Sequence, residues 1–258
     1  MNTFSFRLIL LWIFTLLFGF MYSNLFSQSL VLGVKGGISI PNLEGGGTPQ
    51  SEGYSSRLAP TFGAFITKEL SPHFTILGEI SYSGQGGKRN GMQIIFEENL
   101  SGLPVPQGTN LYADFKNETI INYLEIPILA CYSVIRSNSG FEVYLNAGPY
   151  LGILMNAKVV TDGMSTIYLD KAGNVPLEIG GYPLPAQSFD NEVDISDKLN
   201  TFNAGITGGV GLNYNYNKHQ FKFDLRGIYG FIPIQEDEEN GSNKTGALYI
   251  TLGYGFNI

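Results

Sequence analysis

Charge is scarce in this chain. Charged residues make up 14% of the 258, against about 25% in an ordinary soluble domain. There is one cysteine, Cys131, so no disulfide can close within the chain, and a lone thiol is a poor basis for a metal site. His73 and His219 are the only histidines, and tryptophan occurs once. Lysine and arginine total 15 against 22 acids, for a net charge of −7. With no basic run either, that balance excludes a nucleic-acid reader, which needs a basic stripe. After the N-terminal run no stretch reaches the roughly 18 apolar residues of a membrane helix.

The N-terminal run itself has the form of an export signal. Arg7 precedes an apolar stretch over residues 8–22, followed by Ser23-Asn24-Leu25-Phe26-Ser27-Gln28. A basic start, an apolar core and small residues before a polar segment describe a secretory signal peptide, expected here over residues 1–27 with cleavage before Gln28. Leu25 is larger than the residue such a site prefers at that position. The alternative is an uncleaved anchor, since the run approaches spanning length. Residues 28–258 are expected to form one exported domain.

What the chain has in abundance is glycine (33), tyrosine (15) and phenylalanine (18). Few charges with much glycine and many aromatics suit strands that face lipid outside and a crowded lumen inside. Alternating patterns fall at 30–41, 58–70, 74–85, 119–135, 141–158, 200–216, 220–232 and 245–258. In the last, Leu248, Ile250, Leu252, Tyr254, Phe256 and Ile258 share one parity, opposite small or polar residues. Side chains alternate faces along a strand, so each segment carries one apolar and one mixed face. The connections alternate long and short. Turns at 71–73, 136–140 and 217–219 are short, whereas 42–57, 86–118, 159–199 and 233–244 are long. This rhythm predicts an all-β fold: an eight-stranded, antiparallel, up-and-down transmembrane β-barrel with both termini on the short-turn, periplasmic side. A soluble lipocalin-like barrel also has eight strands but a different loop rhythm; a glycine-rich β-sandwich lacks the lipid-facing parity.

Several segments together resemble a known family: Tyr123-Leu124-Glu125-Ile126-Pro127-Ile128, Ala147-Gly148-Pro149-Tyr150-Leu151-Gly152, the glycine-rich stretch from Phe202 to Gly211, Leu225-Arg226-Gly227-Ile228-Tyr229-Gly230, and Leu252-Gly253-Tyr254-Gly255-Phe256. They resemble the PorT-like, outer membrane β-barrel domain family of Gram-negative bacteria over about residues 30–258. The resemblance implies an eight-stranded outer-membrane barrel, no catalytic motif, and, for the namesake members, assistance to a protein secretion system.

Parity places Lys35, Glu79, Glu125, Glu142, Lys222, Asp224 and Arg226 on inward faces. Eight strands leave an interior just wide enough for side chains to fill, and charges buried there must pair. A salt-bridged plug, with Arg226 against Glu79 or Glu125, is the expectation; a narrow passive channel for small solutes, constricted at Arg226, is the alternative. Both histidines fall in short turns, away from the outer rim, so no catalytic site is expected, and no metal or cofactor. Cys131 reads as a packed thiol and Glu236-Asp237-Glu238-Glu239 as a solvated loop. Tyr168, Ile179, Tyr182, Leu184 and Phe189 in the longest loop could form a binding surface or fold over the barrel mouth. Expected partners are outer-membrane lipid, the barrel insertion machinery, and envelope or secretion proteins or extracellular ligands met through the loops.

Leu252, Tyr254, Phe256 and Ile258 mark the strand that should close the barrel and be recognised during insertion. Deleting residues 254–258 is expected to abolish outer-membrane assembly. The readout is the heat-modifiable folded band in the outer-membrane fraction, and normal levels of the truncated protein would overturn the assignment.

Overall fold

The computed structural model describes residues 30–48, 51–95, 110–237, 239 and 241–258; the expected signal peptide and its cleavage point lie outside them. Eight long antiparallel strands form a closed ring: β1 (Leu30–Glu44), β2 (Ala59–Glu69), β3 (Phe74–Ile95), β4 (Leu111–Arg136), β5 (Phe141–Asp162), β6 (Phe202–Tyr216), β7 (His219–Gly230) and β8 (Lys244–Asn257). Each pairs with its neighbour in sequence, and β8 returns to β1 from Val31↔Asn257 to Glu44↔Lys244. In hydrocarbon no water can satisfy a backbone N–H or C=O, so a sheet that crosses must leave no edge. The terminal strand therefore closes the barrel.

The register fixes the barrel's geometry. Leu30 pairs with Lys68, then Ile76, Ala130, Ala147, Gly208, Gly227 and Leu248, and the circuit returns to β1 at Ile40. It has climbed ten residues, from 30 to 40, which is the shear of the barrel. Strands so staggered tilt by roughly 35–45° from the axis. The ladder skips residues beside Pro127 on its β3 side and beside Pro149 on its β4 side, where a proline nitrogen has no hydrogen to donate.

Outward residues are apolar and exposed, as lipid requires: Val34, Phe62, Ile80, Ile128, Leu145, Ile206, Phe221 and Leu252 lie on this belt. Aromatics gather at its ends. Phe74 and Tyr132 pack at the short-turn end, with ring centroids 5.1 Å apart, and His219 meets Tyr254 and Phe256 there. Phe62 stacks on Tyr82, and Tyr229 meets Phe231, toward the other end.

The strands on one side are much longer than a crossing needs. Sequence alone placed a loop at 86–118, but β3 continues to Ile95 and β4 begins at Leu111. Gly86, Gly87 and Gly91 resemble turn signals in sequence; instead, 86–95 stay paired with 111–120 across the hairpin. β5 likewise runs on to Asp162, and the short strand Asn191–Asp194 pairs with its outer end. The rest of 163–201 contains the two-residue strands Met164–Ser165, Glu178–Ile179, Tyr182–Pro183 and Gln187–Ser188 and one 3-10 turn, Ser196–Lys198. Among the described residues no helix is long and apolar enough to cross a membrane.

Glycines on the inner face make room for a few large rings. A Cβ on Gly211 would sit 2.1 Å from Cζ of Tyr144, and one on Gly33 2.3 Å from Cζ of Phe65. A Cβ on outward-facing Gly36 would meet nothing nearer than 3.9 Å. Gly211→Val should therefore cost about 1–3 kcal/mol through overpacking and lower the temperature at which the folded gel band converts to the unfolded one. Gly36→Ala should leave that temperature unchanged; equal shifts would contradict the packing.

Candidate functional site

All seven of the charged residues placed inward by parity face the lumen, and six of them are buried: Glu79, Glu125, Glu142, Lys222, Asp224 and Arg226. Lys35 is intermediate as a residue, although its side chain is 6% exposed. They separate into three groups along the axis.

The central group joins β1, β3 and β7. Arg226 Nη1 donates to Glu79 Oε2 at 2.9 Å and Nη2 to Oε1 at 2.8 Å, a two-pronged pair. Lys35 donates to the same Glu79 carboxylate from β1, two strands away in the sheet. Arg226 Nη2 also lies 3.0 Å from Asp224 Oδ2. Asp224 Oδ1 accepts from the Tyr144 hydroxyl at 2.6 Å and from Asn146 at 3.2 Å. The residues at 222, 224 and 226 reach one cluster because they are two apart on one strand. A guanidinium matches a carboxylate with two parallel bonds, which a lysine cannot do.

Glu125 forms a second group with neutral partners. It accepts from Tyr249 Oη at 3.1 Å to each oxygen and from Gln85 Nε2 at 3.1 Å. Ser83 in turn bonds Tyr249 at 2.5 Å. Of the two acids expected to meet Arg226, then, Glu79 does and Glu125 does not. Between the groups is a void of about 10 Å³ bordered by Lys35, Glu79, Glu125 and Arg226, room for about one water.

Glu142 makes the third group, at the short-turn end. It accepts from Ser133, from Asn213 Nδ2 at 2.9 Å and from Arg136 Nη2 at 3.0 Å. Arg136 also reaches Glu69 at 2.7 Å. Below the central group the lumen opens to that end as a cavity of about 330 Å³, with Cys131, Tyr144 and Lys222 among its lining residues.

Toward the long-loop end the lumen is closed by apolar side chains. Tyr150, Ile228 and Tyr249 form one buried layer, and Leu43, Ile121, Tyr123, Ala157, Leu199 and Ile234 another. Beyond them the longest loop is tied to the strand extensions. Tyr112 and Tyr168 exchange two backbone hydrogen bonds of 2.8 Å, and Phe189 stacks on Phe115 with centroids 4.9 Å apart. Ile95, Leu111, Ala113, Phe115, Ile167 and Leu177 make a separate small core there, with Leu184 and Phe189 packed against it. Of the loop's apolar residues, Tyr168, Leu184 and Phe189 therefore serve the fold, while Tyr182 (78% exposed) and Ile179 remain on the surface of a small hairpin. Asp190 accepts the Gly163 backbone N–H at 2.9 Å, which holds its carboxylate below the usual range.

Sequence reasoning missed the neutral members of these networks: Gln85, Tyr144, Asn146 and Tyr249. Their inward parity was readable, but their partners lie on strands remote in sequence. His73 and His219 are held at the short-turn end by Ser133 O and Tyr254 Oη. Among the described residues no group of histidine, cysteine, aspartate or glutamate side chains converges at metal-ligating distance.

The chain matches the model of the family described as outer membrane protein beta-barrel domain over residues 26–236. Among solved structures it is similar to Neisserial surface protein A, with 11% identity, 90% of this chain and 100% of that chain covered, and a TM-score of 0.41. It is also similar to OprG from Pseudomonas aeruginosa, with 13% identity, coverage of 90% and 98%, and a TM-score of 0.36. A third is Ail, the attachment invasion locus protein of Yersinia pestis, at 14% identity, coverage of 88% and 98%, and a TM-score of 0.32. No curated protein matches the chain in sequence.

Glu79→Gln leaves Lys35, Lys222 and Arg226 buried with Asp224 alone to balance them, and should cost about 3–5 kcal/mol. Glu125→Gln keeps an oxygen for Tyr249 and Gln85 and should cost about 1 kcal/mol. Urea midpoints of the barrel refolded in lipid vesicles compare the two. Equal losses would overturn the division of the lumen into ion-paired and neutral groups.

Proposed function

This chain belongs to the outer membrane protein β-barrel domain family, and from that premise we propose that it is a non-enzymatic, non-conducting barrel with a binding or scaffold role. The observation that carries this reading is the filled lumen. The Glu79–Arg226–Lys35–Asp224 network blocks the middle, and two apolar layers lie between it and the long-loop end. A hydrated path would have to break the two-pronged Arg226–Glu79 pair and part the apolar layers that exclude water.

Two surfaces remain for partners: the folded module above the outer end and the cavity at the short-turn end. The PorT-like resemblance supports a secretion-accessory role for such a barrel, with an envelope protein as partner at the periplasmic face. Export through the N-terminal signal of residues 1–27, insertion through recognition of the terminal strand, and an apolar belt in contact with outer-membrane lipid complete the proposal.

Purified protein in planar bilayers should give no stable single-channel steps. Reproducible steps, enlarged on Arg226→Ala, would reject the plugged barrel in favour of a narrow channel for small solutes.

A further inference from the structure

Above the barrel ring, the extensions of β3, β4 and β5 and the short strand Asn191–Asp194 form a wall with two edges. The two edges differ. Asn191–Asp194 is four residues long, exposed throughout, and carries Glu192 and Asp194. Short length and charge protect an edge from pairing with another chain. The β3 edge has neither protection. β2 pairs with β3 only as far as Thr61↔Ser83. Beyond it, Ser55 and Lys88 exchange backbone hydrogen bonds of 2.8 and 2.9 Å. From Arg89 to Ile95 no described residue pairs with that flank. Lys88 turns its N–H and C=O to the flank, and the alternation of an antiparallel ladder turns Asn90, Met92 and Ile94 the same way. Three N–H and three C=O groups therefore face away from β4, in a row.

The side chains along this edge restrict what suits it. Lys88, Asn90, Met92 and Ile94 share the outward face of the wall. Met92 and Ile94 are apolar and half-buried. Lys88 is exposed and makes no salt bridge to the described residues, because its cross-strand neighbour Glu118 is held by Arg57 at 2.6 Å. Lys116, across from Asn90, has only a long pair with Asp162, at 3.4 Å. A strand added antiparallel would set its residues opposite Ile94, Met92 and Asn90 in that order. Apolar residues suit the first two, and Asp114, across from Met92, disfavours an acid at the second. A carboxylate suits the third, where it lies diagonal to Lys88 and one strand from Lys116. A second copy in the same membrane is excluded as the occupant, because the flank lies above β2 of its own barrel, where no neighbouring barrel can stand.

We propose that the β3 edge from Asn90 to Ile94 is a docking site for an extended strand of an extracellular protein, added antiparallel and patterned apolar–x–apolar–x–acidic. Main-chain hydrogen bonds supply the affinity, and alternate side chains the selectivity. This deepens the binding-barrel reading above and rests on it for the outward orientation of the wall.

The test is a fluorescence anisotropy titration of the full barrel in lipid nanodiscs with a labelled, end-capped peptide, Thr-Val-Thr-Val-Thr-Glu-Thr. It should bind with a sub-millimolar Kd. N-methylation of both valines and the glutamate, whose N–H groups face β3, should weaken binding by about 10- to 100-fold through the lost hydrogen bonds. N-methylation of the three inner and C-terminal threonines, whose N–H groups face away, should change it less than about 3-fold. Lysine in place of the peptide's glutamate should weaken binding by about 2- to 5-fold, the worth of an exposed ion pair. Lys88→Glu, with its fold checked by heat-modifiable mobility, should reverse that preference. No binding at millimolar peptide, equal effects of the two methylation patterns, or an unchanged preference in Lys88→Glu would overturn the proposal, and the methylation comparison needs no variant. Because the titration does not read conductance, its failure is distinct from failure of the plugged barrel.

Discussion

A sheet surrounded by hydrocarbon cannot keep an unpaired edge, and the rest of this structure follows from that constraint. It requires β8 to meet β1 along its whole length, and it does so from Val31↔Asn257 to Glu44↔Lys244. With eight strands and a climb of ten residues per circuit, the interior is narrow enough for side chains to fill. A filled interior then allows charges only if each finds a partner within reach. Closure thus fixes the width, and the width dictates the chemistry inside.

The central cluster meets that demand unevenly. Glu79 on β3 receives two cations, Lys35 from β1 two strands away and Arg226 from β7 across the bore, so it ties together strands that are not neighbours in the sheet. Tyr144 and Asn146 on β5 complete Asp224. The rings that participate are accommodated where the facing strand has glycine, as Gly211 does for Tyr144 and Gly33 for Phe65. Glycine in this chain is therefore less a mark of flexibility than a means of placing large side chains in a small bore.

Much of this was legible in the sequence because a strand's period of two is rigid. Once Leu252, Tyr254 and Phe256 are taken as lipid-facing, every residue of opposite parity must face the lumen, and the same rule placed Lys222, Asp224 and Arg226 together. Pairings were harder, since they depend on register between distant strands. Arg226 could have met Glu79 or Glu125 by parity alone; the stagger of the strands selects Glu79 and leaves Glu125 to Tyr249 and Gln85. The outer architecture was least legible. Gly86, Gly87 and Gly91 with Lys88, Arg89 and Asn90 have the composition of a loop, yet 86–95 remain in strand because 111–120 offer a complete ladder. Local composition yielded to pairing, as it commonly does in strands.

The unequal strand lengths have a consequence for what can approach the protein. β3, β4 and β5 have 22, 26 and 22 residues, while β2 and β7 have 11 and 12. A tilted crossing uses about 9–11. The ten residues of β3 beyond Gln85, at about 3.3 Å each and tilted, rise roughly 25 Å, well past the few ångströms of headgroup on each side of the hydrocarbon. The barrel therefore stands in the bilayer like a cylinder with one raised parapet, stiffened by its own ladder and by a small core of its own. A large molecule diffusing along the membrane plane meets a wall from one side and a low sill from the other. The molecule's outer face thus has a compass direction, set by strand length alone.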